Sequence, residues 1–235
     1  MSGFSQSAVG IGFLLGLRHA FDADHLVAVS TLVSRESRLR RAVSIGLLWA
    51  AGHTATVTAA SLVLVAMHRS VNGRLAATFE FLVAILIIWL GFRLVLAARH
   101  GVVHSHRHVH GARTHRHIHL HSRRHGHGHG HPHHPEPPRG RTPMIALSVG
   151  MIHGLAGSGT LTVLLAAAAH TPTDSLVFLV LFGAGSAVGM VATTLTMSIP
   201  VGWTLSGSAG TARAVQMALG VISIGFGVWM AGHTL

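Results

Sequence analysis

The sequence predicts an all-α, polytopic membrane protein with about six transmembrane helices, arranged as two inverted three-helix repeats. Three observations carry this expectation. The 235 residues are 49% hydrophobic and 10% charged, with a mean hydropathy of +0.53, a composition of membrane rather than globular proteins. Six apolar segments stand out at 7–33, 43–67, 77–99, 143–169, 174–199 and 212–232, and crossing a bilayer takes roughly 20 mostly apolar residues. The longest linker, residues 100–142, divides them three and three.

The first segment holds the stretch LRHAFDADH (17–25) between GIGFLLG and LVAVSTLV. Charge at the midplane costs at least ~2.5–3.5 kcal/mol per residue, so partners, water or a bound ion must offset it. On a regular helix His19, Asp22 and His25 fall within an arc of about 120°, and Asp24 lies nearly opposite. Either Asp24 has another role or the helix is locally unwound, which membranes tolerate where backbone is buried or lines a cavity. Two imidazoles and a carboxylate on one face are a first-row metal's ligand set. The bland alternative is a buried polar cluster of Arg18, Asp22 and Asp24 that binds nothing.

The second segment carries His53 in AAGHTAT, and the fourth carries His153 in GMIHGLAGSG. A lone membrane histidine commonly joins two helices by a hydrogen bond. Their depth matches the first cluster, so both are candidate ligands or proton carriers. Glu80 opens the third segment near an interface, and His68, His170 and His233 lie at segment ends.

GFLLGLRHAFDADHLVAVS in segment one parallels GMIHGLAGSGTLTVLLAAA in segment four. GHTATVTAA in segment two parallels GSAVGMVATT in segment five, and IIWLGFRL and ISIGFGVW share a late glycine. Three helices per half would give the halves opposite orientation, as in inverted-repeat transporters; close helix packing alone also enriches Gly and Ala. The organisation expected is 1–99, a first repeat; 100–142, a histidine-rich disordered loop; and 143–235, a second repeat.

All 17 basic residues are arginine, and the formal charge is +11. The arginines flank apolar segments, which points to a bilayer rather than to nucleic acid. The first loop holds Arg35, Arg38, Arg40 and Arg41, whereas the opposite side has only Arg69 and Arg74. The positive-inside rule then puts the 100–142 loop in the cytoplasm and both termini outside. Without lysine there is no P-loop and no Schiff base, so active transport must draw on an ion gradient or another subunit. Without cysteine there is no disulfide and no thiolate ligand, which favours Ni²⁺, Co²⁺ or Zn²⁺ over Cu⁺. The N-terminus has no basic n-region or A-x-A site, so no removable signal peptide is expected.

RHAFDADH resembles the signature of the nickel–cobalt transporter family, whose motif H-x4-D-H is met by His19, Asp24 and His25, with Asp22 also matching its usual spelling. GHT at Gly52 to Thr54 is similar to the family's next-helix motif. Larger members have eight helices with the motif in the second. This chain starts later and resembles the shorter six-helix branch, which includes exporters with a histidine-rich central loop. The resemblance implies translocation of Ni²⁺ or Co²⁺ as substrate, with no tightly bound cofactor.

Residues 104–134 contain 14 histidines, many in alternation. Such low complexity cannot build a core and is expected to be disordered without metal. With an unperturbed pKa of ~6.5, imidazoles are mostly neutral at pH 7.5 and free to ligate. Metal collection is the expected role, and the interspersed arginines would hold the loop against anionic lipid. The plain alternative is a linker enriched in histidine by repeat slippage.

The expected function is a secondary transporter of Ni²⁺ or Co²⁺ with metal ligands among His19, Asp22, Asp24, His25, His53 and His153. A cytoplasmic collecting loop favours efflux, while the intact HAFDADH spelling is typical of uptake members. The alternative is a non-transporting accessory protein that buffers nickel for urease or hydrogenase assembly, with a nickel chaperone or maturation proteins as partners. An intramembrane hydrolase is a remote reading: Ser158 and His153 sit five apart, about 140° around a helix, and H-E-x-x-H is missing. No catalytic residue is expected.

Overall fold

Helix α1 (Phe4–His19) and helix α2 (Ala23–Val33) replace the single first segment that hydropathy predicts. In this computed structural model the described residues are 4–36, 38–67, 73–110, 113–122, 144–156, 171–206 and 208–234. The helix breaks at Ala20–Asp22. There the bonds tighten to i→i−3, with Phe21 N–H donating to Arg18 O at 2.9 Å and Asp22 N–H to His19 O at 3.0 Å. Such bonds close a helix end. Asp22 then takes the extended conformation of an N-cap, but its carboxylate makes no capping bond to α2.

Helices α3 (Leu39–Ala66), α4 (Gly73–His100), α6 (Pro172–Ser206) and α7 (Ala209–Thr234) are each long and apolar enough to cross a membrane. Helix α5 (Met144–Ala156) is shorter. The described residues therefore contain seven helices where six unbroken segments are expected. The remainder of the fourth segment, with Ser158 and the GLAGSGT stretch from Gly157 on, lies outside the described residues, as do His68 and His170.

Strands β1 (Gly101–His110) and β2 (Arg113–Ser122) pair antiparallel. Their register sets His104 opposite His119, His106 opposite His117 and His108 opposite His115. The composition of 100–142 predicts no regular structure. Yet the alternation of histidine with other residues has the period of a strand, and Val102, Val103, Val109, Thr114 and Ile118 favour one. Residues 123–142 of that stretch lie outside the described residues.

Helix α1 packs on α6, α3 on α6, and α4 on α7, while α2 touches α3, α4, α6 and α7. A short helix enclosed on so many sides buries residues all round: His25, Ala28, Val29, Thr31, Leu32 and Val33 are all interior. Its hydroxyls satisfy themselves, Ser30 donating to Val27 O, Thr31 to Ala28 O and Ser34 to Thr31 O, as small polar residues do in lipid. At the turn after α2, burial beside Arg93 lowers the Arg35 guanidinium below its ordinary value. Glu36 pairs with Arg41 at 3.7 Å.

Small residues let the backbones approach. A Cβ on Gly16 would strike the Phe182 carbonyl, and one on Gly185 the Phe13 carbonyl. The same exchange recurs between α3 and α5, where Gly52 faces Leu147 and Gly150 faces Trp49. Large apolar side chains such as Trp203, Val180 and Leu14 are exposed, an outer surface suited to lipid rather than water.

Candidate metal centre

The break between α1 and α2 brings His19, Asp24 and His25 of LRHAFDADH toward one point, while Arg18, Phe21 and Asp22 stay exposed. His19 ends α1, Asp22 stands in the break, and Asp24 and His25 begin α2. Helix α3 brings His53, and α5 brings His153. The imidazole centroids of His19 and His25 are 4.6 Å apart, those of His25 and His53 5.2 Å, and those of His19 and His53 5.3 Å. His153 approaches His25 from the other side, also at 4.6 Å.

Each aspartate holds an imidazole by one nitrogen. Asp22 Oδ2 is 2.8 Å from His19 Nδ1, and Asp24 Oδ1 is 3.1 Å from His25 Nδ1. Asp24 Oδ1 also accepts the His25 backbone N–H at 2.9 Å, and its Oδ2 lies 2.9 Å from His153 Nε2. A carboxylate on Nδ1–H fixes the tautomer and leaves Nε2 with a lone pair, the arrangement that orients metal-binding histidines. Among the described residues, His19 Nε2, His25 Nε2, both nitrogens of His53 and His153 Nδ1 are buried without a hydrogen-bond partner. Buried polar atoms are normally satisfied, so a cluster of orphaned imidazole nitrogens calls for a ligand.

His25, His53 and His153 are each only 1% exposed. The side chains of His19, Asp24 and Asp22 are 20%, 23% and 53% exposed. The six residues expected from the sequence thus converge, with Asp22 at the rim. Two sets of three ligand atoms lie within 4.8 Å of one another: His19, His25 and His53; and Asp24, His25 and His153. Arg18 is exposed and pairs with neither aspartate. His233 lies apart, at the end of α7 against Trp229.

Sequence reasoning missed the apolar wall of this site. Trp49 lies 5.5 Å from His25 and 6.5 Å from His153, and Phe182 lies 5.5 Å from His19. Trp49 was findable, because it sits one helical turn before His53 on α3 and so shares its face. An apolar groove of about 530 Å³, lined by residues of α4 and α5 including Leu86, Trp89, Ile145 and Val149, contains none of the six polar residues.

Long apolar helices around a buried imidazole and carboxylate cluster define a multi-pass membrane protein with a polar interior. The chain belongs to the NicO family of high-affinity nickel-transport proteins, whose model matches residues 6–231. The family is one of metal-ion transport proteins, not enzymes. The urease accessory protein UreH of Bacillus sp. (strain TB-90) is 30% identical over 194 residues, covering 83% of this chain and 77% of that protein. The high-affinity nickel transport protein of Cupriavidus necator is 37% identical over 71 residues, 30% of this chain and 20% of that protein. The cobalt transport protein NhlF of Rhodococcus rhodochrous is 41% identical over 63 residues, 26% of this chain and 18% of that protein. No solved structure matches the chain.

Proposed function

We propose that this protein is a secondary transporter that carries Ni²⁺ or Co²⁺ through the buried cluster of His19, His25 and His53. The observation that carries the reading is the group of orphaned imidazole nitrogens converging among apolar helices. Three neutral nitrogens give a borderline-soft divalent ion a partial shell and leave positions open. Cargo must enter and leave, so an incomplete shell suits transport better than a closed structural cage. Asp22 and Asp24 act from behind the imidazoles and supply the negative charge that a dication neutralises.

The two halves, 1–99 and 143–235, are read as inverted repeats. The reciprocal glycine contacts of α1 with α6 and of α3 with α5 support this, since the first segment meets the fifth as the second meets the fourth. The arginine-rich first loop puts the 100–142 loop in the cytoplasm and both termini outside. Metal gathered there raises local concentration at an inward-facing entrance, which favours efflux over uptake. With no lysine in the chain, an ion gradient or another subunit drives the step.

A second reading has specific support. The relative UreH is named a urease accessory protein, so this chain would buffer nickel for a maturation pathway, with a chaperone as partner. That role explains the histidine loop but gives no purpose to a cluster buried among membrane helices. Entry of radioactive nickel into sealed liposomes holding the purified full chain separates the two. Flux above that of empty liposomes supports the transporter; nickel bound but not translocated supports the accessory role.

A further inference from the structure

The two sets of ligand atoms share one residue, His25. Its imidazole stands between His19 and His153, 4.6 Å from each, with His53 at 5.2 Å on the His19 side. Asp24 occupies the Nδ1 edge of His25 at 3.1 Å and reaches His153 Nε2 at 2.9 Å, while Nε2 of His25 has no partner. Each set also has its own partly exposed carboxylate. Asp22, 53% exposed, backs His19 in the first; Asp24, 23% exposed, belongs to the second. The shared imidazole between them is 1% exposed.

Resting on the transporter reading above, we infer that the ion occupies two positions in turn and is handed across the ring of His25. In the first position it is held by His19, His25 Nε2 and His53. In the second it is held by Asp24, His25 Nδ1 and His153. A neutral imidazole has one lone-pair nitrogen at a time. When His25 ligates through Nε2 its proton sits on Nδ1, against Asp24. When the ion crosses, the Nδ1 proton leaves to solvent water at the partly exposed Asp24 edge, and Nε2, freed of the ion, takes one from water on the partly exposed His19 side, so the ring carries a single proton throughout. The two positions therefore exclude each other, and two dications so close would repel strongly at the low effective dielectric of an interior. One ion per chain and one shared ligand form a barrier that opens to one side at a time. Asp22 marks the mouth of the first position and Asp24 that of the second.

The test uses the full chain, with ⁶³Ni²⁺ as probe and the His19→Ala, His25→Ala double variant as background for nickel held elsewhere on the chain. His153→Gln keeps a donor for Asp24 but is a poor ligand, and His153→Asn is read in parallel in case either fails to yield monodisperse protein. Wild type should bind one nickel per chain above background. His153→Gln should keep that ion and lose net liposome flux by more than the roughly tenfold that even an outer-shell partner costs, because a direct ligand of the second position is gone. His53→Ala should lose both. Loss of the bound ion as well as flux in the His153 variants would mean one composite site and overturn the hand-over, leaving transport itself standing. Full flux in those variants would overturn it too. No flux and no nickel above background in wild type would instead remove the transporter reading on which the inference rests.

Discussion

Asp22 and Asp24 have the same chemistry and different situations, and the difference decides what each does for the imidazole beside it. Asp22 is half exposed and, among the described residues, its carboxylate bonds only the Nδ1 edge of His19, whereas Asp24 divides its two oxygens between His25 and His153. Replacing Asp22 by Asn keeps a hydrogen-bond acceptor and should lower apparent nickel affinity by about tenfold or less, at the low end of such outer-sphere effects. Asp24→Asn removes both the charge between two imidazoles and a ligand of the second position, and should cost more than the upper end of that range, above about 100-fold. Concentration dependence of flux in both variants checks this, and equal effects would contradict it. All six residues were legible as polar groups at matching depths in apolar segments, a signal that needs no structure. Their roles were less so. The arc of a regular helix grouped Asp22 with His19 and His25 and set Asp24 apart. The break at Ala20–Asp22 reverses that order, putting Asp24 between two imidazoles and Asp22 at the rim.

At the scale of elements, hydropathy located the long helices to within about four residues, save at the C-terminal end of α6, which runs on to Ser206 where the apolar segment ends at 199, because twenty-odd apolar residues leave little choice in a bilayer. It did not show that the first segment divides, since the apolar average over 7–33 does not resolve a three-residue turn at Ala20–Asp22; the i→i−3 bonds of Phe21 and Asp22 become visible only in the folded chain. The glycine contacts were visible only as recurrent Gly, not as pairs. They matter because α3 and α5 must approach closely to bring His53 and His153 to the same centre. Gly150→Val should push α5 from α3 and destabilise the protein by ~1–3 kcal/mol, the usual cost of overpacking. Thermal melting in detergent measures it, and an unchanged midpoint would show that α5 is free to yield. The hairpin of β1 and β2 carries eight of the loop's histidines, four in each strand, and six of them face one another in three pairs. Deleting residues 104–134 should weaken apparent metal affinity and spare maximal flux. Complete loss of flux would place the loop on the pathway itself.

For the whole molecule, the apolar exterior, the polar centre and the family membership agree on a multi-pass protein of metal transport. Orientation rests on arginine asymmetry alone, and the absence of cysteine makes it simple to test. A single cysteine at Arg38 should react with a membrane-impermeant maleimide only after cells are opened, and one at Arg74 should react in intact cells. The reverse pattern would invert the molecule and, with it, the side on which the loop gathers metal. Passage of the ion through the imidazole cluster is the core of the proposed function. Its most direct test is ⁶³Ni²⁺ flux into sealed liposomes bearing wild type or His25→Ala, at equal amounts of inserted protein. Wild-type flux with none above empty liposomes in His25→Ala is the predicted result, because losing the shared ligand leaves the ion under-coordinated in both sets. Undiminished flux in His25→Ala would contradict the account.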